Sequence, residues 1–211
     1  MKRLALATAI VLTIYLLPTS NAQEIINDKE YGVVSDPVIC SVSTEVDLFT
    51  EEEKHDITCL MREGLLENDS VHFSANIGET EEESVLIFLI GNSSNLTSSN
   101  SDVFIRIDQN APEIIEGTYI SEGFSSCCSS NVIKDFLAKV KDGQQRLIIR
   151  ISNGVFEVTE AMPLNSQGRV RSQGKTLSSN GRTIRVNSVT SAAIEDFLNR
   201  TEYLPAFRIQ D

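Results

Sequence analysis

The sequence predicts an α+β domain: a β-rich sheet or sandwich with two or three flanking helices, stapled by disulfides. Three observations carry that expectation. Several segments alternate apolar and polar residues with period two, as in Val103-Phe104-Ile105-Arg106-Ile107, the pattern of a strand with one buried face. Two stretches, around Phe136 and Phe197, instead place apolar residues at helical spacing. Four cysteines, Cys40, Cys59, Cys127 and Cys128, follow a leader-like N-terminus, and exported chains commonly join such cysteines in pairs.

Residues 1–22 read as a secretory signal peptide. Lys2 and Arg3 form its positive end, Leu4 to Leu17 its apolar run, and Ser20-Asn21-Ala22 a small-x-small cleavage site. The apolar run is shorter than the ~20 residues that span a bilayer. No cysteine directly follows the cleavage site to carry a lipid, and no later segment is apolar for long enough to span. The expectation is therefore an exported protein, periplasmic or extracellular, with no membrane span after cleavage. The remainder is long enough for one domain with a real core, divided into a polar lead-in over 23–37 and a single domain over 38–211. The formal charge of the chain is −12, and loss of the two leader cations makes it more negative still. That acidity argues against nucleic acid or an anionic membrane as partner, because phosphate binding rests on clustered Lys and Arg.

The elements follow in order. The lead-in from Gln23 is expected to be loosely ordered. Val38 to Val46 alternates as a strand. Thr50-Glu51-Glu52-Glu53 has the Thr-x-x-Glu form of a capping box, which predicts a short helix to about His55. Ile57 to Met61 is the return strand and Val71 to Ile77 another. Gly78 to Ser84 is an acidic turn, and the continuous apolar run Val85 to Ile90 predicts a strand buried on both faces. Gly91 to Ser101 is a Ser/Asn loop.

After the strand over Val103 to Asp108, Asn110-Ala111-Pro112 breaks the pattern and Glu113 to Ile120 resumes an extended run. Ser129 or Ser130 caps a helix with Val132, Ile133, Phe136, Leu137 and Val140 on one side. Lys139 and Lys141 suit its last turn and Gly143 its end. Leu147, Ile149 and Ile151 begin a strand, and Asn153-Gly154 signals a hairpin into Val155 to Thr159. Pro163 to Arg171 reads as a loop. Asn180-Gly181 marks a second hairpin into Thr183 to Val186. Ser188 then caps a closing helix with Val189, Ala193, Ile194, Phe197 and Leu198 on one face.

Few residues point to chemistry. There is no Gly-x-Ser-x-Gly elbow, and the only histidines, His55 and His72, read as surface or edge residues. Cys127 and Cys128 precede a helix, where a thiolate is favoured, but they lack Cys-x-x-Cys spacing. A metal set of Cys40, His55 and Cys59 is loosely spaced and competes with disulfide formation. Glu79, Glu81, Glu82 and Glu83 lack the interleaved pattern of a calcium loop and read as a solvated turn. No enzyme activity, metal or cofactor is predicted. The cysteines allow three pairings. Cys40–Cys59 closes a short loop but leaves the awkward neighbours Cys127 and Cys128, whereas crossed pairing needs both partners to converge on the helix entrance. Asn68, Asn92, Asn95 and Asn199 lie in Asn-x-Ser/Thr sequons, which carry sugar only in a eukaryotic secretory pathway.

One pattern suggests a binding site. Ile105-Arg106-Ile107, Ile149-Arg150-Ile151 and Ile184-Arg185-Val186 each turn an arginine away from the face of its apolar neighbours. On adjacent strands, Arg106, Arg150 and Arg185 would form a basic patch able to engage a carboxylate or phosphate. The bland alternative is a solvent-facing sheet with these arginines paired to acids such as Asp108 and Glu157.

The order of features resembles that of the invasion-associated locus B family. The resemblance is carried by Cys40 and Cys59, the strand ending Ile107-Asp108, and the cysteine-bearing segment after an extended run. Ile133-Lys134-Asp135-Phe136-Leu137 with Gly143 and a strand, and a closing amphipathic helix, complete it. It runs roughly from Val38 to Leu198. Those proteins are small, exported, β-rich with flanking helices, and made by Gram-negative bacteria. The family tends to separate its second cysteine pair, with a glycine just before the last; here Gly123 lies ahead of the adjacent Cys127 and Cys128. The family has no established enzymatic activity, so the resemblance implies a periplasmic or surface-associated protein of host-interaction type.

The leading expectation is a non-enzymatic interaction or accessory protein of the cell envelope, with another envelope or host protein as partner. The alternatives are a small-ligand or anion-binding module using the three arginines, and a thiol-disulfide oxidoreductase using Cys127 or Cys128.

Overall fold

The structure is a computed structural model that describes residues 23–32, 37–62, 70–78, 84–90, 102–115, 118–120, 123–126, 129–152, 157–173 and 184–202. Several sequence expectations lie outside them: the leader, the loop over 91–101, Cys127 and Cys128, and the sequons at Asn68, Asn92 and Asn95. So do Glu79 and Glu81 to Glu83, the dipeptides Asn153-Gly154 and Asn180-Gly181, and the tail from Leu204.

Among the described residues, thirteen strands and two helices follow one another as β1 (Gln23–Tyr31), β2 (Val38–Asp47), β3 (Glu53–Arg62), β4 (Ser70–Ile77), β5 (Val85–Ile90), β6 (Asp102–Ile107), β7 (Glu113–Ile115), β8 (Thr118–Ile120), β9 (Gly123–Ser126), α1 (Ser130–Asp142), β10 (Arg146–Ser152), β11 (Glu157–Pro163), β12 (Gly168–Gln173), β13 (Ile184–Val186) and α2 (Val189–Thr201). A nine-stranded sheet runs β13-β12-β1-β2-β3-β4-β5-β9-β8, and a four-stranded sheet runs β11-β10-β6-β7. The expected α+β architecture, β-rich with flanking helices and a disulfide, is what forms.

Alternation sets the faces. On the large sheet Val38, Cys40, Val42, Ile57, Cys59, Phe73, Ala75, Leu86 and Phe88 point inward and are buried. On the small sheet Val103, Ile105, Leu147, Ile149 and Ile151 do the same, and all belong to one core cluster. The helices share that core: α2 packs on β1, β2, β3 and β12, and α1 packs on α2 and β5. Phe136 of α1 meets Phe73 and Phe88 edge-on, with ring centroids 5.7 and 5.4 Å away. Such pairs add to area burial because the positive ring edge meets a negative face.

Cys40 and Cys59 face each other across β2 and β3 and form a disulfide. Their sequence separation of 19 closes a loop whose entropy loss in the unfolded chain stabilises the fold by about 3 kcal/mol. Both are fully buried. The pairing left open by the sequence is thus settled for these two.

Several local expectations change. The supposed lead-in is β1, paired to β2 on one side and β12 on the other. The capping-box segment is no helix: it is the β2–β3 turn, where the Asp47 carboxylate accepts the N–H groups of Phe49 and Thr50. Val85 to Ile90 is fully buried on one face only, and Val85, Ile87 and Leu89 are half-buried on the other. The run Glu113 to Ile120 is split between the small sheet and the edge of the large one. Gly168 to Gln173, expected as loop as far as Arg171, is strand β12. In α1, Ile133, Phe136, Leu137 and Val140 are buried as expected, but Val132 is 47% exposed.

The junction from β6 to β10 is held by one side chain. Asp108 has φ 55° and its carboxylate accepts the N–H groups of Gln144, Gln145 and Arg146 at 2.8, 2.8 and 2.9 Å. These donors, Gln144 first, pull its pKa below the usual carboxylate value. Gly143 ends α1 here, and a Cβ on it would collide with Leu164 and Ile107. Lys139 ties the same helix to β7 through Glu113 at 2.8 Å.

Candidate functional site

Of the three arginines, the fold unites two. Arg106 on β6 lies in register with Ile148 of β10, and Arg150 of β10 with Phe104 of β6. Both arginines therefore stand diagonally on the outer face of the four-stranded sheet, turned from the core by the alternation that buries Ile105 and Ile149. Arg185 is elsewhere, on β13 at the edge of the large sheet, opposite Arg169 of β12. The three-arginine patch is corrected to a pair, because β13 joins the other sheet.

Around the pair lies a hollow of about 200 Å³ lined by Phe104, Arg106, Pro112, Ile148, Arg150 and Thr159. The Arg150 guanidinium stacks over Phe104, 4.9 Å from the ring centroid, and stands 3.6 Å from Glu157. That ion pair is half-exposed and of little energy, so it holds Arg150 loosely. Arg106 differs: its Nε is buried and has no hydrogen-bond partner among the described residues. Asp108, one of the acids expected to neutralise these arginines, is instead engaged with backbone N–H groups. Ile114 of β7, in register with Phe104, is 60% exposed and extends the apolar floor. A face of two guanidinium groups set in apolar surface can hold a carboxylate through charge-assisted, bidentate hydrogen bonds while an apolar body rests beside it.

A second polar centre lies beneath α2, and sequence reasoning missed it. Arg200 donates to Thr44 Oγ1 at 3.1 Å and to Asp196 at 2.8 Å. Lys29 of β1 donates to the other oxygen of Asp196 at 2.8 Å. Thr44 Oγ1 lies 3.0 Å from His55 Nδ1, and His55 Nε2 lies 3.6 Å from Glu53. His55 and Thr44 are buried, and β3 lies inside the large sheet, which corrects the reading of His55 as a surface or edge residue. Tyr31 joins through Asp196, and its phenol is pushed well above its ordinary value, first by burial and then by that carboxylate. Asp196 is held below its ordinary value by Lys29 and Arg200 against the opposing effect of burial. The i,i+4 spacing of Asp196 and Arg200 was legible; their partners on β1 and β2 were not. The centre fastens α2 to β1, β2 and β3.

Cys40 and Cys59, bonded to each other, offer no thiolate to a metal. Among the described residues no group of three His, Cys, Asp or Glu is placed to hold a metal ion, and no helix is long and apolar enough to cross a membrane. His72 is half-buried on the outer face of β4, and burial lowers its pKa.

Fold and site together define a class: a disulfide-stapled α+β domain that exposes an arginine-bearing, half-apolar sheet face. No family model matches the chain, and neither a curated protein nor a solved structure matches it.

Proposed function

We propose that this chain is an exported, non-enzymatic interaction protein of the cell envelope that works through the outer face of its four-stranded sheet, where it takes a carboxylate attached to an apolar body. The observation that carries the reading is the convergence of Arg106 and Arg150 on one hollow beside the apolar side chains of Phe104 and Ile148. A guanidinium pair beside an apolar floor can hold a carboxylate by charge-assisted hydrogen bonds while the apolar body rests against the sheet. The leader-like N-terminus and the Cys40–Cys59 disulfide support export, since disulfides persist in oxidising compartments. The sequence's resemblance to the invasion-associated locus B family supports the same reading. The partner is an envelope or host protein presenting such a carboxylate.

Thermal melting with phenylacetate, against the neutral phenylethanol, tests the ligand chemistry. A ligand at a hundredfold excess over its Kd stabilises the native state by about 2.7 kcal/mol, which raises Tm by roughly 5–10 °C in a chain of this size. The expected result is a rise with phenylacetate alone, lost in Arg106→Gln. Equal responses of wild type and variant, or none in either, would overturn the reading.

A further inference from the structure

The β2–β3 turn carries the most exposed large apolar side chain among the described residues. Phe49 is 81% exposed and its neighbour Leu48 is 55% exposed. An apolar tip of this size gains nothing from water, and this one is not there through looseness. Asp47 Oδ1 accepts from Phe49 N at 2.8 Å and from Thr50 N at 3.1 Å. The backbone closes beneath, Glu51 N to Asp47 O at 2.8 Å and Asp47 N to Glu52 O at 3.0 Å. Glu51 takes φ 61° to complete the turn, a conformation that non-glycine residues adopt only when their surroundings enforce it. The tip is thus held out in a fixed shape, which lowers the entropy cost of docking it. Behind it stand the exposed Glu51 and Glu52, an acidic collar.

The hollow on the small sheet has the opposite character, an apolar floor of Phe104 and Ile148 between Arg106 and Arg150. We propose that this hollow receives the Leu48-Phe49 turn of a second copy of the chain, with Phe49 on the apolar floor and the glutamates of its collar against the two arginines. The inference rests on the carboxylate-binding reading above and names the partner that supplies the carboxylate. The hollow opens away from the core the two sheets share, while the turn ends a hairpin of the other sheet, so the contact joins two copies. Turn and hollow are different surfaces, so the association is head-to-tail, and a pair of copies still has one turn and one hollow free for the next. One anchored aromatic with a small ring of ion pairs places the contact in the weak, transient class.

Sedimentation velocity over a broad concentration series tests it. The expected result is a weight-average sedimentation coefficient that rises with concentration, less so at high salt, because the ion pairs are screened. Phe49→Ser, at an exposed position that does not endanger folding, is expected to lower the association constant by at least roughly tenfold. It should leave the phenylacetate response intact. Arg150→Glu should abolish association, and mixing it with Glu51→Lys/Glu52→Lys should restore a complex between the two variants. Phenylacetate should compete with association in the wild type.

A protein that stays monomeric at every concentration, yet still answers phenylacetate, would overturn the self-docking while leaving the ligand reading in place. Association that survives Phe49→Ser would overturn it too. Association that is lost in Phe49→Ser but ignores both arginine substitution and phenylacetate would put the socket elsewhere, which also overturns it.

Discussion

His55 shows how one buried side chain sets a pH limit. Arg200 already donates to Thr44 Oγ1, so the Thr44 hydroxyl hydrogen is free to be given to His55 Nδ1. The neutral ring then carries its proton on Nε2, toward Glu53. Protonating Nδ1 would turn this acceptor into a donor and place a cation near Arg200 of α2 and Lys134 of α1. Burial, first, and then those two cations lower the His55 pKa from 6.5, against the opposing pull of Glu53. With the folded pKa below the unfolded one, the unfolded chain binds more protons in mild acid. The contribution is complete above the unfolded pKa and is lost as pH falls through it toward the folded pKa. His72, lowered by burial, adds an effect of the same sign. Between about pH 7 and pH 5, the Tm of the wild type should fall more steeply than that of His55→Gln, with His72→Gln reporting the other share. Equal slopes in wild type and His55→Gln would show that His55 titrates as it does in the unfolded chain.

Among elements, the connection from β6 through α1 to β10 depends on Asp108. Its charge is stabilised by three N–H groups of the Gln144–Arg146 segment, and its lowered pKa means that this support is present above the unfolded value and lost as pH falls below it. Asp108→Asn keeps a side chain that tolerates positive φ but gives up the charge, whereas Asp108→Ala loses both. Melting curves at neutral pH should rank wild type above Asn and Asn above Ala; Asn equal to wild type would mean that the charge contributes nothing. The helix ending at this junction was legible because its periodicity is local, as was α2 with Ser188 accepting from Ser191 N at 3.1 Å. The β10–β11 pairing was legible from two alternating runs around Asn153-Gly154.

The elements that misled did so where a distant partner decides. Thr50 and the glutamates after it satisfy a capping box, yet Asp47 closes a turn there because strands on both sides are already paired in register. In Val85 to Ile90 every residue is apolar, so no alternation marks which face the core takes. The candidate site divides in the same way. That Arg106 and Arg150 turn from the core is written in the period-two pattern, but that β6 and β10 are neighbours while β13 belongs to another sheet is topology. The Asp196 cluster draws on β1, β2, β3 and α2, and no local pattern joins Lys29 to Asp196.

At the scale of the molecule, β1 carries the sharpest consequence. Gln23 to Tyr31 is too polar to announce itself as a strand, yet it lies between β2 and β12 and is what joins β12 and β13 to the rest of the large sheet. It also delivers Lys29 and Tyr31 to Asp196, whose side chain is only 16% exposed. A chain lacking residues 23–31 would leave β2 with an open edge, release β12 and β13, and strip the Asp196 carboxylate of one of its two cations. An open edge invites pairing between chains, and a half-buried carboxylate short of a partner destabilises the native state. The truncated chain should therefore aggregate on refolding, or remain without near-UV circular dichroism and a cooperative melt. A dispensable lead-in makes the opposite forecast, a soluble chain whose Tm stays within a few degrees of the full-length value, about the shift of a single 1 kcal/mol change. The two outcomes separate cleanly because β1 either completes the nine-stranded sheet or does not.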